Sequence, residues 1–213
     1  MKFLLVAVNA KYIHSNPAVY SLKAFAKEQR PKADIEIGEY TINHQMDHVL
    51  EDIYRRKPDF VGFSCYIWNI SQVLEITRDL HKVLPKCEIW LGGPEVSYNA
   101  EEILMREPQI RGIMRGEGEL TFTELVSAYM SADYTRINQI QGITCRGFSG
   151  KFYANGPQRL LSMDEIPFYY ADMTGFENRI VYYESSRGCP FSCSYCLSSI
   201  DKILRFRDWT LVE

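Results

Sequence analysis

The sequence predicts an α/β protein with a doubly wound, parallel five-stranded sheet. Five short apolar runs rich in β-branched residues recur along the chain, each bounded by turn residues. Segments with apolar residues at spacings of three and four lie between them, which is the helical pattern. Regular alternation of strand and helix requires right-handed crossovers and a parallel sheet covered on both faces. The predicted strands are residues 3–8, 34–40, 60–65, 88–91 and 110–114.

The predicted helices occupy the intervals between the strands, and the first domain is assigned to residues 1–135. Apolar positions repeat within each interval so that one helix face can pack on the sheet. The predicted helices are residues 17–29, 46–56, 70–84, 99–106 and 119–130.

A hairpin and an extended linker are predicted for residues 136–178. Two strand-like runs flank Phe148-Ser149-Gly150, which is a turn sequence, and proline and glycine interrupt the residues that follow. A third unit, residues 179–213, begins with a strand-like run at 180–185 that continues directly into a cysteine-rich loop.

Composition narrows the classes of partner and compartment. The chain has 213 residues, 46% of them apolar, and a net charge of only −3 without any basic run. We therefore expect neither nucleic acid nor a membrane surface as partner. The sequence contains no apolar stretch of bilayer length, and residues 1–10 resemble a strand more than a signal peptide. Six cysteines are too few for a disulfide scaffold, which favours a cytoplasmic location.

The cysteines Cys189, Cys193 and Cys196 form the pattern C-x3-C-x2-C. This spacing lets one short loop place three thiolates around an iron-sulfur cluster and leaves the fourth iron open. A zinc site is the first alternative, although zinc normally takes four ligands and no second ligand pair accompanies the triplet. Unrelated buried thiols are the second, and the other three cysteines do lie singly in or beside strands.

The segment from Arg187 to Cys196 resembles the signature of the radical S-adenosylmethionine (SAM) superfamily. Gly188 and Pro190 flank the first cysteine as turn-forming residues. The resemblance implies that the three cysteines are metal ligands of a 4Fe-4S cluster. It also implies that SAM binds the open iron and is cleaved to a 5'-deoxyadenosyl radical, with Tyr195 near the adenine. Residues 179–213 would then be the first strand and cluster loop of a truncated radical SAM barrel.

The loops that leave the carboxyl ends of the predicted strands are the place to expect a ligand in an open parallel sheet. They contain paired glycines, aromatic rings and small polar groups, which suit a large flat ligand. Tight turns, a packed core and favourable charges at a helix start explain the same residues without a ligand. The candidate cofactor-binding residues are Asn9, Tyr12, His14, Ser64, Tyr66, Trp68, Gly92, Gly93, Pro94, Gly116 and Glu117.

Together with the cysteine triplet, these loops resemble the cobalamin-binding domain that precedes the barrel in one large radical SAM class. The resemblance maps that family's serine to Ser64 and its glycine pair to Gly92 and Gly93, on a Rossmann-like or flavodoxin-like fold. The sequence departs from many cobalamin domains because it has no Asp-x-His-x-x-Gly motif, although His14 lies in the corresponding loop. A GxGxxG fingerprint after the first strand and a GxxxxGK[ST] loop are also absent, which excludes nicotinamide and nucleoside-triphosphate chemistry.

The resemblance implies an enzyme that uses cluster, SAM and cobalamin for radical methyl transfer or rearrangement on a small-molecule or peptide substrate. An electron donor such as flavodoxin or ferredoxin is implied as a partner. Two alternatives remain: a stand-alone module for cobalamin or another small ligand, and a docking domain that binds no cofactor. Because a complete barrel needs on the order of 200 residues, we expect this chain by itself not to catalyse the reaction.

Overall fold

The computed structural model describes residues 1–147, 149–170, 172–200 and 202–212. Its strands are β1 (Lys2–Asn9), β2 (Asp34–Thr41), β3 (Phe60–Ser64), β4 (Glu88–Gly92), β5 (Ile110–Met114), β6 (Ile143–Arg146), β7 (Phe152–Ala154), β8 (Ser186–Arg187) and β9 (Arg205–Phe206). Its helices are α1 (Pro17–Gln29), α2 (Met46–Arg56), α3 (Ile70–Val83), α4 (Pro94–Ser97), α5 (Ala100–Arg106), α6 (Glu119–Met130) and α7 (Tyr134–Ile137).

The main sheet has the strand order β2-β1-β3-β4-β5-β6-β7, and its first five strands are parallel. This confirms the predicted doubly wound architecture. The chain passes from β1 to β2 in one direction and then returns to place β3 on the other side of β1. The carboxyl ends of β1 and β3 therefore border the crevice where ligands bind in such sheets.

The predicted hairpin forms, and it also extends the sheet, which the sequence did not indicate. Strand β6 pairs antiparallel with β5, and β7 pairs with β6. Ile143 and Cys145 of β6 are fully buried against the core. The pairing covers an edge of β5 that would otherwise expose unpaired backbone groups. Phe148, at the predicted turn, lies outside the described residues.

Two apolar layers pack on opposite faces of the sheet. Side chains that alternate along each strand supply both layers, as expected for strands buried on both sides. Phe3, Phe60 and Trp90 pack against α1, α6 and α7, whereas Leu4 and Val61 face α2, α3, α4 and α5. The central strands are thereby held rigidly, which gives the loops at their ends fixed starting points.

The chain after the hairpin crosses the carboxyl edge of the sheet. Ile180 forms an isolated parallel bridge with His14, and regular pairing resumes only at β8, which pairs antiparallel with β9. The strand predicted at 180–185 is therefore not formed over that range. Tyr182 and Tyr183 instead face a cavity. Within the described part of the chain, no helix has the length and apolar character needed to span a bilayer.

Candidate functional site

A cavity of about 410 Å³, here called the inner cavity, opens at the carboxyl ends of β1, β3, β4 and β5. Leu5, Gly62 and Met114 line its sheet side, and residues of α1, α4 and the start of α6 line the rest. The predicted residues that line it are Ser64, Tyr66, Gly92, Gly93, Pro94, Gly116 and Glu117. Three separate loops are thus brought to one cavity by the parallel order of the strands.

The glycines of the inner cavity serve different purposes. Gly93 has φ +109°, and a Cβ there would lie 2.5 Å from the backbone oxygen of Cys65. Close backbone packing therefore requires Gly93, as the tight-turn interpretation predicts. Gly116 has φ +73° and no atom within 4 Å of a Cβ position, so the space beside it is open. A Cβ on Gly92 would make only ordinary contacts with Met114, the nearest at 3.6 Å.

A second cavity of about 520 Å³, the outer cavity, lies beside the first. Both cavities are lined by Pro17, Tyr66 and Glu184, so they are neighbours in one cleft. Among the predicted residues, Asn9, His14, Tyr66 and Trp68 line the outer cavity. The rings of Tyr66 and Trp68 stack with centroids 4.4 Å apart and planes 6° from parallel. Burial raises the pKa of the Tyr66 hydroxyl, which therefore stays protonated near neutral pH.

The outer cavity also contains polar groups that the sequence reasoning did not select. Asn16 is 5% exposed, and its Oδ1 accepts no hydrogen bond from any described residue, whereas its Nδ2 lies 3.4 Å from Ser64 Oγ. Tyr182 brings its hydroxyl within 2.5 Å of His14 Nδ1. The sequence placed Asn16 in a candidate loop but gave no sign that its amide would be buried with an unused acceptor.

Two of the predicted cofactor-binding residues lie apart from the cleft. Tyr12 is 73% exposed and Tyr195 is 90% exposed, and neither is among the residues lining the two cavities. Asn9 lines the outer cavity, but its amide nitrogen donates to His14 O and to Glu39 Oε1, each at 3.0 Å. The β1–α1 loop is therefore held by its own hydrogen bonds.

A partly buried group of charges joins the cleft to the segment that leads into the cysteines. Arg187 donates to Glu117, Glu119 and Glu184, and Arg205 donates to Glu117. Burial by itself would raise the pKa of the Glu119 carboxyl group, but the bonds from Arg187 and from Ser21 outweigh burial and lower it. Glu119 therefore remains ionised. The sequence indicated only a favourable charge at a helix start.

The three loop cysteines are half-buried, whereas Cys65, Cys87 and Cys145 are buried. The backbone N–H of Cys196 donates to the carbonyl of Cys193 at 3.2 Å, which forms a turn between the last two thiols. No three His, Cys, Asp or Glu side chains in the described ranges are arranged to hold a metal ion. The donor chemistry suits a cluster, but the thiols are not assembled around one position.

The fold and cleft agree with comparison to known proteins. Residues 4–126 match the family model described as B12 binding domain. Since the match covers more than half of the chain, the chain belongs to this family, and it carries a cobalamin-binding domain.

Its relatives include cobalamin-dependent enzymes. The chain is 27% identical over 170 residues to the cobalamin-dependent radical SAM methyltransferase TokK of Streptomyces tokunonensis, covering 74% of this chain and 25% of that protein. It is 27% identical over 202 residues to the hopanoid C-3 methylase of Methylococcus capsulatus, covering 86% and 38%. It is 30% identical over 161 residues to the uncharacterized methyltransferase PH0819 of Pyrococcus horikoshii, covering 70% and 34%. The chain therefore spans between a quarter and two fifths of these relatives.

Solved structures show the same fold over nearly the whole chain. The cobalamin-dependent SAM radical enzyme OxsB, with aqua-cobalamin and SAM bound, superposes with a TM-score of 0.77 at 20% identity, covering 95% of this chain and 29% of that one. The radical SAM methyltransferase TsrM from Kitasatospora setae, with cobalamin and a [4Fe-4S] cluster bound, gives 0.69 at 18% identity, covering 98% and 44%.

Proposed function

We propose that this chain is the cofactor-binding part of a cobalamin-dependent radical SAM enzyme that performs methyl transfer or rearrangement. The observation that carries the proposal is the cleft at the carboxyl edge of the sheet, crossed by the segment that leads directly into Cys189. Glu184 lines both cavities and Arg187 lines the inner one, so the cluster loop begins at the cofactor cleft. A protein that uses both cofactors on one substrate needs this adjacency.

The residues present fit cobalamin. The inner cavity is bounded by apolar side chains and by Gly116, beside which there is open space for a flat group. The unused Oδ1 of buried Asn16 suits the amide N–H donors that surround a corrin ring, since a buried acceptor without a partner is costly. Tyr66 and Trp68 offer stacked rings at the junction of the cavities. Bound cobalamin would supply a carrier for a methyl group.

The cysteine loop completes the proposal. Cys189, Cys193 and Cys196 would hold a 4Fe-4S cluster as thiolates, and Tyr195 would contact SAM. The cluster needs electrons, and flavodoxin or ferredoxin is the class of donor that we propose. The substrate would be a small molecule or a peptide.

The variant Gly92→Val tests the cavity assignment. The added isopropyl group beside Met114 would narrow the inner cavity. Overpacking of this size should lower the affinity for hydroxocobalamin by at least about tenfold. Affinity is measured by titration followed through corrinoid absorbance, with Gly92→Ala as the smaller matched change. Unfolding in urea checks that the valine variant is folded. Equal affinity of folded Gly92→Val and wild type would contradict the assignment.

A stand-alone cobalamin module is the second candidate, favoured by a family match that covers residues 4–126 and ends before the cysteine loop. Anaerobic incubation of this chain with iron, sulfide and hydroxocobalamin, followed by gel filtration, separates the two. Corrinoid and cluster absorbance together support the enzyme, and corrinoid absorbance without cluster absorbance supports the module.

A further inference from the structure

The segment that contains the three cysteines is closed at its base by the β8–β9 ribbon. Arg187 and Arg205 face each other as register partners in this antiparallel pair, and Ser186 faces Phe206. Gly188 follows β8 with φ +90°, and a Cβ there would collide with the backbone of Ile203, so the two strands continue close together into the loop. The position of the ribbon therefore decides where the cysteine loop lies.

Two arginines directly opposite each other oppose the formation of the ribbon that they belong to. Like charges on facing positions of paired strands are destabilising. The side chains of Arg187 and Arg205 are only 14% and 12% exposed, so water screens their repulsion poorly. A two-residue ribbon has little pairing energy of its own with which to overcome this.

Glu117 lies between the two guanidinium groups and bonds to both. Its Oε2 accepts from Arg187 Nη1 at 3.2 Å and from Arg205 Nη1 at 3.1 Å, and its Oε1 accepts from Arg205 Nη2. Glu117 also lines the inner cavity, in the loop between β5 and α6. Glu117 thus places one negative charge between the two arginines, whereas Glu119 and Glu184 offset the charge of Arg187. It also ties both strands of the ribbon to the cofactor domain.

We propose that Glu117 is a positioning residue: it permits the β8–β9 ribbon to form and holds the base of the cysteine loop against the wall of the inner cavity. The inference rests on the proposed function, because it concerns where the cluster loop lies relative to cobalamin. In the contacts described, Glu119 and Glu184 accept hydrogen bonds from Arg187 and not from Arg205. Glu117 is therefore the carboxylate that joins both strands.

The test compares the reactivity of loop and core cysteines in the 213-residue chain without added cofactor. Alkylation of each cysteine is followed by peptide mass spectrometry in wild type and in Glu117→Gln, which keeps the shape but removes the charge. Cys189, Cys193 and Cys196 should react at least about tenfold faster in the variant, since charge-assisted hydrogen bonds at the loop base are lost. Cys65, Cys87 and Cys145 should be unchanged and thus report that the core is intact.

A second substitution separates this role from a general contribution to stability. In Glu117→Gln/Arg205→Met, the cross-strand repulsion is removed together with the carboxylate that balanced it. Loop alkylation should therefore return to within about threefold of wild type, because apolar contact can then support the ribbon. Glu165→Gln removes a carboxylate from an exposed pair with Arg159 and serves as the matched control, with no expected effect.

Three results would overturn the proposal. The first is loop alkylation in Glu117→Gln at the wild-type rate. The second is a double variant that reacts as fast as Glu117→Gln, and the third is an equal acceleration of the core cysteines in Glu117→Gln. Alkylation is measured without iron or corrinoid, so its result does not depend on cobalamin binding. A failure to bind cobalamin would contradict the proposed function, and the alkylation rates would still test the role of Glu117.

Discussion

Alanine at Gly93 should destabilise the fold much more than alanine at Gly116, although both glycines line the same cavity. Gly93 combines φ +109° with ψ 172°, a region that glycine alone occupies readily, so a side chain there costs about 1–3 kcal/mol in backbone strain. The added Cβ would also lie 2.5 Å from the oxygen of Cys65. That backbone is held in place, because Cys65 N–H donates to the carbonyl of Gly92 at 2.7 Å.

The expected loss of unfolding free energy for Gly93→Ala is therefore about 3–5 kcal/mol, strain and collision together. At Gly116, φ is +73° and a Cβ meets nothing within 4 Å, so only the left-handed conformation is penalised. That cost is about 1–2 kcal/mol. The difference between the two variants therefore contains the collision with the Cys65 backbone and the larger strain of the Gly93 conformation.

Urea unfolding followed by far-ultraviolet circular dichroism measures both values by linear extrapolation. The dependence of the unfolding free energy on urea must be the same in wild type and variants, so that the comparison refers to the same transition. A loss for Gly93→Ala no larger than that for Gly116→Ala would show that the Cys65 backbone yields, and the reasoning would fail.

Two further predictions concern a carboxylate and an amide. Arg78 donates to Glu107 and lowers the pKa of the Glu107 carboxyl group. The pair therefore stabilises the fold fully above the pKa of the unfolded chain, about 4.3. This stabilisation is lost as the pH falls through the lower pKa of the folded protein. Glu107→Gln should therefore destabilise by about 1–2 kcal/mol at pH 7 and by much less at pH 3, by urea unfolding; a difference independent of pH would contradict this. Asn16→Leu should weaken hydroxocobalamin binding about tenfold in the absorbance titration, because it removes the unused acceptor. Lys23→Leu, at a half-buried position of α1 that lines neither cavity, is its control. Equal affinities of Asn16→Leu and wild type would refute a role for Asn16.

The five parallel strands and five of the helices could be predicted from local pattern, because each has a single clear period. The four-residue helices α4 and α7 were not predicted, since one turn is too short to show a period. The predicted 17–29, 46–56 and 119–130 helices and the predicted 110–114 strand have the observed bounds. The third helix was predicted to end at residue 84, but it ends one residue earlier, because the backbone is no longer helical at Leu84. Boundaries of this kind depend on the next turn and carry little periodic signal.

The candidate loops were also identifiable, because the parallel order of strands fixes which loops share an edge. The role of each residue within these loops could not be identified from the sequence. Gly93 and Gly116 cannot be distinguished in the sequence, yet the backbone of Cys65 packs against Gly93, whereas the space beside Gly116 is open. Asn16 is as buried as Ser15 beside it, and it differs in having an acceptor oxygen without a partner among the described residues. Tyr182 and Tyr183 lie in the run predicted as a strand at 180–185, but that pattern did not link them to the cleft. Only the path of the chain across the sheet edge brings them there.

The doubly wound class, the ligand-binding edge and the cysteine spacing can be predicted from the chain alone, because each follows from periodicity or from residues close together in the chain. The extension of the sheet by the hairpin and the bonds of Glu117 to Arg187 and Arg205 become visible only in the folded molecule. The bonds of Glu117 join residues that are 70 and 88 positions apart. Burial and charge neutralisation select them, and neither leaves a local pattern in the sequence.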